Sequence, residues 1–263
     1  DHPDIDKVTF TGSPGVGRQI LQGAAGNLKR VTLELGGKSA NVIFPDADLD
    51  SAVKAAGSGI FFNTGQVCSA GSRILAHRSI YDEVVERLVA RAQGVRLGDP
   101  RDSGTSMGPL ISGTQMERVL NYIEIGRNEG ARIAVGGARH GDRGYYVAPT
   151  VFAGVEHEMR ISQEEIFGPV AAVIPFEDED DAVRLANGTS YSLAAGVWSA
   201  DITLGHRMTR RLKAGTVWVN TYGPTDVRLP WGGMRDSGYG REHGDIAIEN
   251  FTEPKVVWIN TGR

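Results

Sequence analysis

Short β-rich runs alternate with helical patterns along this 263-residue chain, and no other feature of the sequence constrains its fold as much. Strand, helix and strand in succession favour parallel strands joined by crossover helices, which is an α/β architecture. The first such unit runs from a strand at 7–11 through the turn Gly12-Ser13-Pro14-Gly15-Val16-Gly17 into a helix reaching Ala25, then to a strand over Val31-Thr32-Leu33-Glu34-Leu35. Ser13 is placed to cap that helix, with Pro14 at its first position. Beyond Gly36-Gly37 a strand is predicted over Ala40–Phe44. A helix opened by Asp48 or Asp50 then sets Leu49, Val53, Ala56 and Ile60 on one face. Amphipathic helices are predicted around Val84–Ala92 and Met116–Ile123, and strands at 73–77, 132–135, 145–151, 170–175, 194–198 and 215–219. The tail Phe251–Asn260 reads as a strand with Pro254 inside it, which places it at an edge or a bulge, and an apolar edge strand near a terminus invites a partner chain.

Hydrophobic residues make up 40% of the chain, enough to fill a real core. The net charge of -4, with both signs interspersed, gives no electrostatic footprint for nucleic acid. No apolar run approaches the roughly 20 residues needed to cross a bilayer, so no membrane partner is expected. The 35 glycines follow no period, which excludes collagen-like and linker sequences. Asp1-His2-Pro3-Asp4 is unlike a signal peptide, and a strand begins almost at once, so a segment is expected to precede residue 1. The lone cysteine cannot form an internal disulfide, which fits a reducing, cytoplasmic location.

That cysteine, Cys68, lies in Phe61-Phe62-Asn63-Thr64-Gly65-Gln66-Val67-Cys68-Ser69-Ala70-Gly71, between two helical patterns. Flanking glycines and small polar residues suit a nucleophile in a loop, but a small buried hydrophobe reads equally well from the residues alone. Glu34, among apolar neighbours before a double glycine, is either a base with a pKa raised by burial or a carboxylate satisfied by a nearby cation or amide. Gly12–Gly17 follows a strand and opens a helix, a setting that binds phosphate or serves as an ordinary tight turn. Gly37-Lys38-Ser39 ends like a P-loop, but the required first glycine is Thr32. Gly238-Tyr239-Gly240-Arg241-Glu242-His243-Gly244 has its last glycine one residue late for a dinucleotide fingerprint and is read as a structural loop. The six histidines show no metal-ligand spacing, so no metal is expected.

Taken together, Val31-Thr32-Leu33-Glu34-Leu35-Gly36-Gly37-Lys38-Ser39, Phe62-Asn63-Thr64-Gly65-Gln66-Val67-Cys68 and Glu164-Glu165-Ile166-Phe167-Gly168-Pro169-Val170 resemble the aldehyde dehydrogenase superfamily in order and separation. Similarity continues through Phe10-Thr11-Gly12-Ser13, Gly215–Asn220, Pro230-Trp231-Gly232-Gly233 and Ser237–Glu242. The resemblance implies the last β-α-β unit of a Rossmann-like NAD(P)-binding domain at residues 1–36, a catalytic domain at 37–236, and a return segment with an oligomerisation strand at 237–263. Assembly as a homo-oligomer through that strand follows.

The resemblance also implies a chemistry. The Cys68 thiolate attacks an aldehyde carbonyl, and the oxyanion is held by the Cys68 N–H and an asparagine. Hydride passes to NAD or NADP, and the resulting thioester is hydrolysed by water activated by Glu34. Gly12 and Ser13 match pyrophosphate contacts and Val16 an adenine contact. Leu35 and Gly36 match the nicotinamide surroundings, and Glu165 and Phe167 contacts to its ribose. Val67, Ser69 and Trp231 are expected to shape the aldehyde tunnel. Ser13-Pro14-Gly15-Val16-Gly17 departs from the family's Ser-Thr-Glu-x-Gly by losing its acidic residue. The oxyanion asparagine and the residues choosing between NAD and NADP would lie upstream of Asp1, so this chain alone is expected to be inactive. Two rivals are an inactive fragment with only an association role and a cofactor-free thioesterase, which would have no use for Glu165-Ile166-Phe167.

Overall fold

A computed structural model describes residues 2–262, and the chain opens with the expected crossover unit. Strand β1 (Lys7–Thr11) leads into helix α1 (Pro14–Ala24), and the chain returns as β2 (Arg30–Glu34), parallel to β1 with Thr11 opposite Glu34. Ser13 accepts a hydrogen bond from the Val16 N–H at 3.4 Å, and Pro14 takes the first turn, where a missing N–H costs nothing.

Next come β3 (Ala40–Ile43), α2 (Leu49–Phe61, capped by Asp48), β4 (Arg73–His77), α3 (Tyr81–Gln93), α4 (Gly113–Asn128), β5 (Arg132–Val135), β6 (Thr150–Ala153), the short α5 (Arg160–Gln163) and β7 (Val170–Phe176). The chain continues through α6 (Glu179–Asn187), β8 (Tyr191–Ser192), β9 (Ala194–Trp198), α7 (Ile202–Arg211), β10 (Thr216–Val219), β11 (Met234–Arg235), β12 (Gly238–Tyr239) and α8 (Ile246–Glu249).

Seven strands form one sheet in the order β10-β9-β3-β4-β7-β6-β5, parallel except for the β5–β6 pair. Its strands are apolar on both faces: Val42, Leu75, Ala172 and Ile174 enter one core with α4, α6 and α7, while Ile43, Ile74, Ala171 and Val173 enter another with α2 and α3. Two-sided burial is what a parallel sheet with helices on both faces demands of its sequence. A smaller sheet, β1-β2-β12, stands apart from it, with β12 antiparallel to β2. Among the described residues no helix is long and apolar enough to cross a membrane.

Three expectations need correction. The strand predicted at 145–151 is β6 at Thr150–Ala153, because residues 138–148 fold back on themselves through His140–Tyr146 and Ala148–Ala138 backbone bonds. Pro149, with no N–H to donate, divides that pairing from β6. Gly238–Gly244 is more than a loop: Gly238 and Tyr239 form β12 against Glu34 and Leu33. The tail Phe251–Asn260 forms no strand among the described residues. A strand exists only by pairing, and none of the described residues pairs with that segment as a strand, so Val256, Val257, Trp258 and Ile259 stand 68–93% exposed.

Candidate active site

Glu34 ends β2, while Lys38-Ser39, Ser72 and Gly168-Pro169 lead into the N-termini of β3, β4 and β7. The candidate groups therefore collect where the C-terminal edge of the small sheet meets the N-terminal edge of the large one. The joint is the Gly36-Gly37 turn. A Cβ on Gly37 would overlap the Cys68 carbonyl oxygen, and a Cβ on Gly36 would overlap the Glu165 carboxyl. Glycine here lets the three segments close on one another.

Cys68 owes its position to an unusual backbone. After α2, residues Asn63, Thr64 and Gly65 are all left-handed, with φ of 49°, 58° and 70°. A β-branched residue in that region costs roughly 1–2 kcal/mol, so the conformation must be enforced. Thr64 Oγ1 donates to Gly108 O at 3.2 Å, Asn63 Nδ2 donates to Gln66 O at 3.1 Å, and Gln66 Oε1 accepts from Ile111 N–H at 3.1 Å. Gly65 lies against Gly168 O with no room for a Cβ. The Ala70 N–H then closes a tight turn on Val67 O at 3.0 Å, leaving Cys68 and Ser69 at its centre. The thiol is partly exposed rather than a packed core residue. Burial and the negative charges of Glu165 and Glu34 push its pKa up, while the N–H groups of Ser69 and Cys68 pull it down.

Glu34 is 6% exposed, and no hydrogen bond reaches its carboxyl among the described residues. Burial, then repulsion from Glu242, raises its pKa to about 8, against a smaller opposing pull from Arg241. Both neighbours come from the return segment. A Cβ on Gly232 would meet Glu34 Oε1 at 2.5 Å, Trp231 and Glu242 exchange two backbone bonds of 2.7 Å, and Arg241 donates to Gly233 O at 2.8 Å. The carboxyl read from sequence as a possible base thus has a pKa matched to proton transfer near neutrality.

Glu165 turns its carboxylate into the Gly36-Gly37 turn, where Gly37 N–H donates to Oε1 at 3.0 Å; burial raises its pKa. Phe167 is 37% exposed and left-handed, at φ 60°. Two side chains of α4 hold that segment: Gln115 donates to Phe167 O at 2.8 Å, and Arg118 to Glu165 O at 2.7 Å. Leu35 is buried with its side chain against Gly17 of α1, so it offers the site only backbone. Gly12 and Ser13 sit at the start of α1, the Gly12 N–H being taken by Glu34 O at 3.0 Å, and Val16 is exposed one turn on. Val67 packs on the α2 side of the core, and Trp231 lies 6.3 Å from Trp218 between ring centres.

Sequence reasoning assigned no role to Gln115, Arg118, Arg241, Glu242, Lys38 or Arg73. Arg73 is fully buried and donates to the carbonyls of Lys38 (2.9 Å), Leu185 (2.7 Å) and Ala186 (2.7 Å), tying the turn after Glu34 to the end of α6. The buried Lys38 ammonium has no hydrogen-bond partner among the described residues, and burial, then Arg73, lowers its pKa to about 7. Two surface depressions beside Lys7, Arg30 and Asn250 contain neither Glu34 nor Cys68.

Residues 1–257 match the sequence pattern described as the aldehyde dehydrogenase family. The chain is 52% identical over 262 residues to an aldehyde dehydrogenase of Aspergillus niger, covering 99% of itself and 53% of that protein. It is 48% identical over 265 residues to a betaine aldehyde dehydrogenase of Rhizobium johnstonii, covering 100% and 54%. The NAD+ complex of a Bacillus cereus aldehyde dehydrogenase superposes with a TM-score of 0.97 at 52% identity, over 99% of this chain and 53% of that one. The chain thus spans about half the length of the relatives it matches.

Proposed function

The chain belongs to the aldehyde dehydrogenase family, and on that premise we propose that it carries the thiol half of an NAD(P)-dependent aldehyde oxidation. The observation that carries this reading is that the loop of the lone thiol packs on the Gly36-Gly37 turn, two residues beyond Glu34, whose buried carboxyl is close enough for its charge to act on the thiol. Cys68, as thiolate, adds to the aldehyde carbon, forming a C–S bond and an alkoxide within reach of the Cys68 N–H. A nicotinamide bound there would supply the hydride acceptor this oxidation needs, leaving the acyl group on Cys68 as a thioester. Glu34 then takes a proton from water as its oxygen attacks the thioester. The C–S bond breaks, the acid leaves, and the thiolate is regenerated.

The residues present fit such a cofactor. Val16 and Phe167 offer exposed apolar faces, and Glu165, anchored on Gly37, offers a carboxylate to a ribose. Gly12 and Ser13 would lie by the pyrophosphate, and Leu35 and Gly36 by the nicotinamide. Val67, Ser69 and Trp231 would line the aldehyde's approach. The NAD+ complex of the Bacillus cereus relative favours NAD over NADP. A domain division at 36/37 and 236/237 is supported by the separate β1-β2-β12 sheet, which the return segment completes. The exposed apolar tail supports homo-oligomerisation by strand addition, and the lone thiol a reducing, cytoplasmic compartment. Since this chain spans about half the relatives' length, we further propose that these 263 residues by themselves do not turn over.

The test of the thiol's role is Cys68→Ala in the natural polypeptide carrying this sequence. Aldehyde-dependent NAD(P)H formation is expected to vanish, including the first turnover; a normal first turnover contradicts the proposal.

A further inference from the structure

Tyr222 stands behind the nucleophile turn. The chain leaves β10 through left-handed Asn220, at φ 53°. Two residues later the tyrosine ring enters a slot formed by three glycines from three separate elements. A Cβ would come within 3.0 Å of the ring at Gly59 on α2, 3.0 Å at Gly71 beyond Cys68, and 2.6 Å at Gly196 on β9. Trp218 closes the slot, its ring 4.7 Å away between centres. Deep in this packing the phenol donates to Ser69 O at 2.7 Å, with the Ser39 hydroxyl beside its oxygen. Burial pushes its pKa above the ordinary range, so the group stays a neutral donor at any working pH.

Ser69 is the residue after the nucleophile, and its two peptide links are fixed separately. The carbonyl on its N-terminal side, that of Cys68, packs on Gly37, and its own carbonyl is held by Tyr222. With both ends pinned, Cys68 and Ser69 are held in one conformation at the centre of the Val67–Ala70 turn. We infer that Tyr222 is a positioning residue for Cys68: its O–H holds the Ser69 carbonyl, and with it the tight turn that carries the thiol. This rests on Cys68 being the nucleophile.

A tyrosine that merely fills the slot and one that orients the turn differ in what Tyr222→Phe does. Phenylalanine keeps the ring against the three glycines and removes the hydroxyl, and with it the donor to Ser69 O. In the natural polypeptide, the rate of iodoacetamide labelling at the Cys68 peptide is followed by mass spectrometry from pH 6 to 10, beside kcat, KM and Tm. The labelling profile is expected to move to higher pH, with labelling at pH 7 and kcat both falling roughly 3- to 10-fold, the worth of one hydrogen bond. Gly71→Ala displaces the same group by another route, since its Cβ would press on the phenol carbon and oxygen from 3.0 and 3.1 Å, and should shift the profile the same way. A labelling profile that overlays the parent's in whichever variant folds overturns the proposal. Labelling needs no turnover, so it reads Tyr222 even if Cys68→Ala keeps activity, the outcome that would instead remove the nucleophile reading.

Discussion

Replacing Glu34 by glutamine should make stability less sensitive to alkaline pH. Glutamine preserves the size of the buried side chain and removes its ionisation. In the folded chain the carboxyl titrates at about 8, against an ordinary value of 4.5. The folded state therefore holds this proton through that interval while the unfolded state has lost it. The contribution of the protonated group is complete below pH 4.5 and is lost as pH rises through about 8. At about 1.4 kcal/mol per pH unit the whole interval is worth at most about 5 kcal/mol, and the stretch from pH 6 to pH 8 about 2 kcal/mol. Relaxation around the ionised carboxyl lowers the observed figure below this ceiling. The assay is urea unfolding of parent and Glu34→Gln across pH 6 to 9. Lys38 titrates nearby in the opposite sense, but it is common to both proteins and cancels in the difference. The variant should gain on the parent by one to two kcal/mol from pH 6 to pH 8, an estimate scaled from the same linkage. A gap that does not change with pH would show that Glu34 is not held protonated by burial and Glu242.

Arg73→Met should destabilise the fold by roughly 2–4 kcal/mol in thermal or urea unfolding, because the buried Lys38 carbonyl and the part-buried Ala186 carbonyl lose their donor. A loss below about 0.5 kcal/mol would mean the arginine is not what ties the turn after Glu34 to α6. The isolated 263-residue chain should give no aldehyde-dependent NAD(P)H signal above a Cys68→Ala control, and robust turnover would remove that expectation.

Much of the fold was legible because its cause is local. Alternation of periods marked β1, α1, β2 and β3, Ser13-Pro14 marked where α1 begins, and of the two candidates Asp48 and Asp50 it is Asp48 that caps α2. The strand at 145–151 failed where a long-range pairing of residues 138–148 outweighed local β character. The tail failed because pairing, unlike propensity, needs a partner. At the site, Cys68 and Glu34 could be named as candidates, but what gives each its character comes from far along the chain. Glu242 and Arg241 shape Glu34 from more than 200 positions away, and Tyr222 reaches Ser69 across 153. The Gly238–Gly244 segment looked like filler for that reason: its role appears only once β12 has paired with β2. Gln115 and Arg118, three apart on α4 beside the apolar Met116 and Val119, were the one local hint of a polar grip on Glu165–Phe167.

The central claim is that Cys68 is acylated and Glu34 releases the acyl group. It is tested most directly by rapid quenching of the Glu34→Gln natural polypeptide after mixing with aldehyde and NAD(P)+, followed by mass analysis of the Cys68 peptide. The account predicts a burst of about one NAD(P)H per site, acyl mass on Cys68, and release slowed by roughly 10²–10⁴. Parent-like steady turnover with no acyl mass on that peptide would contradict it.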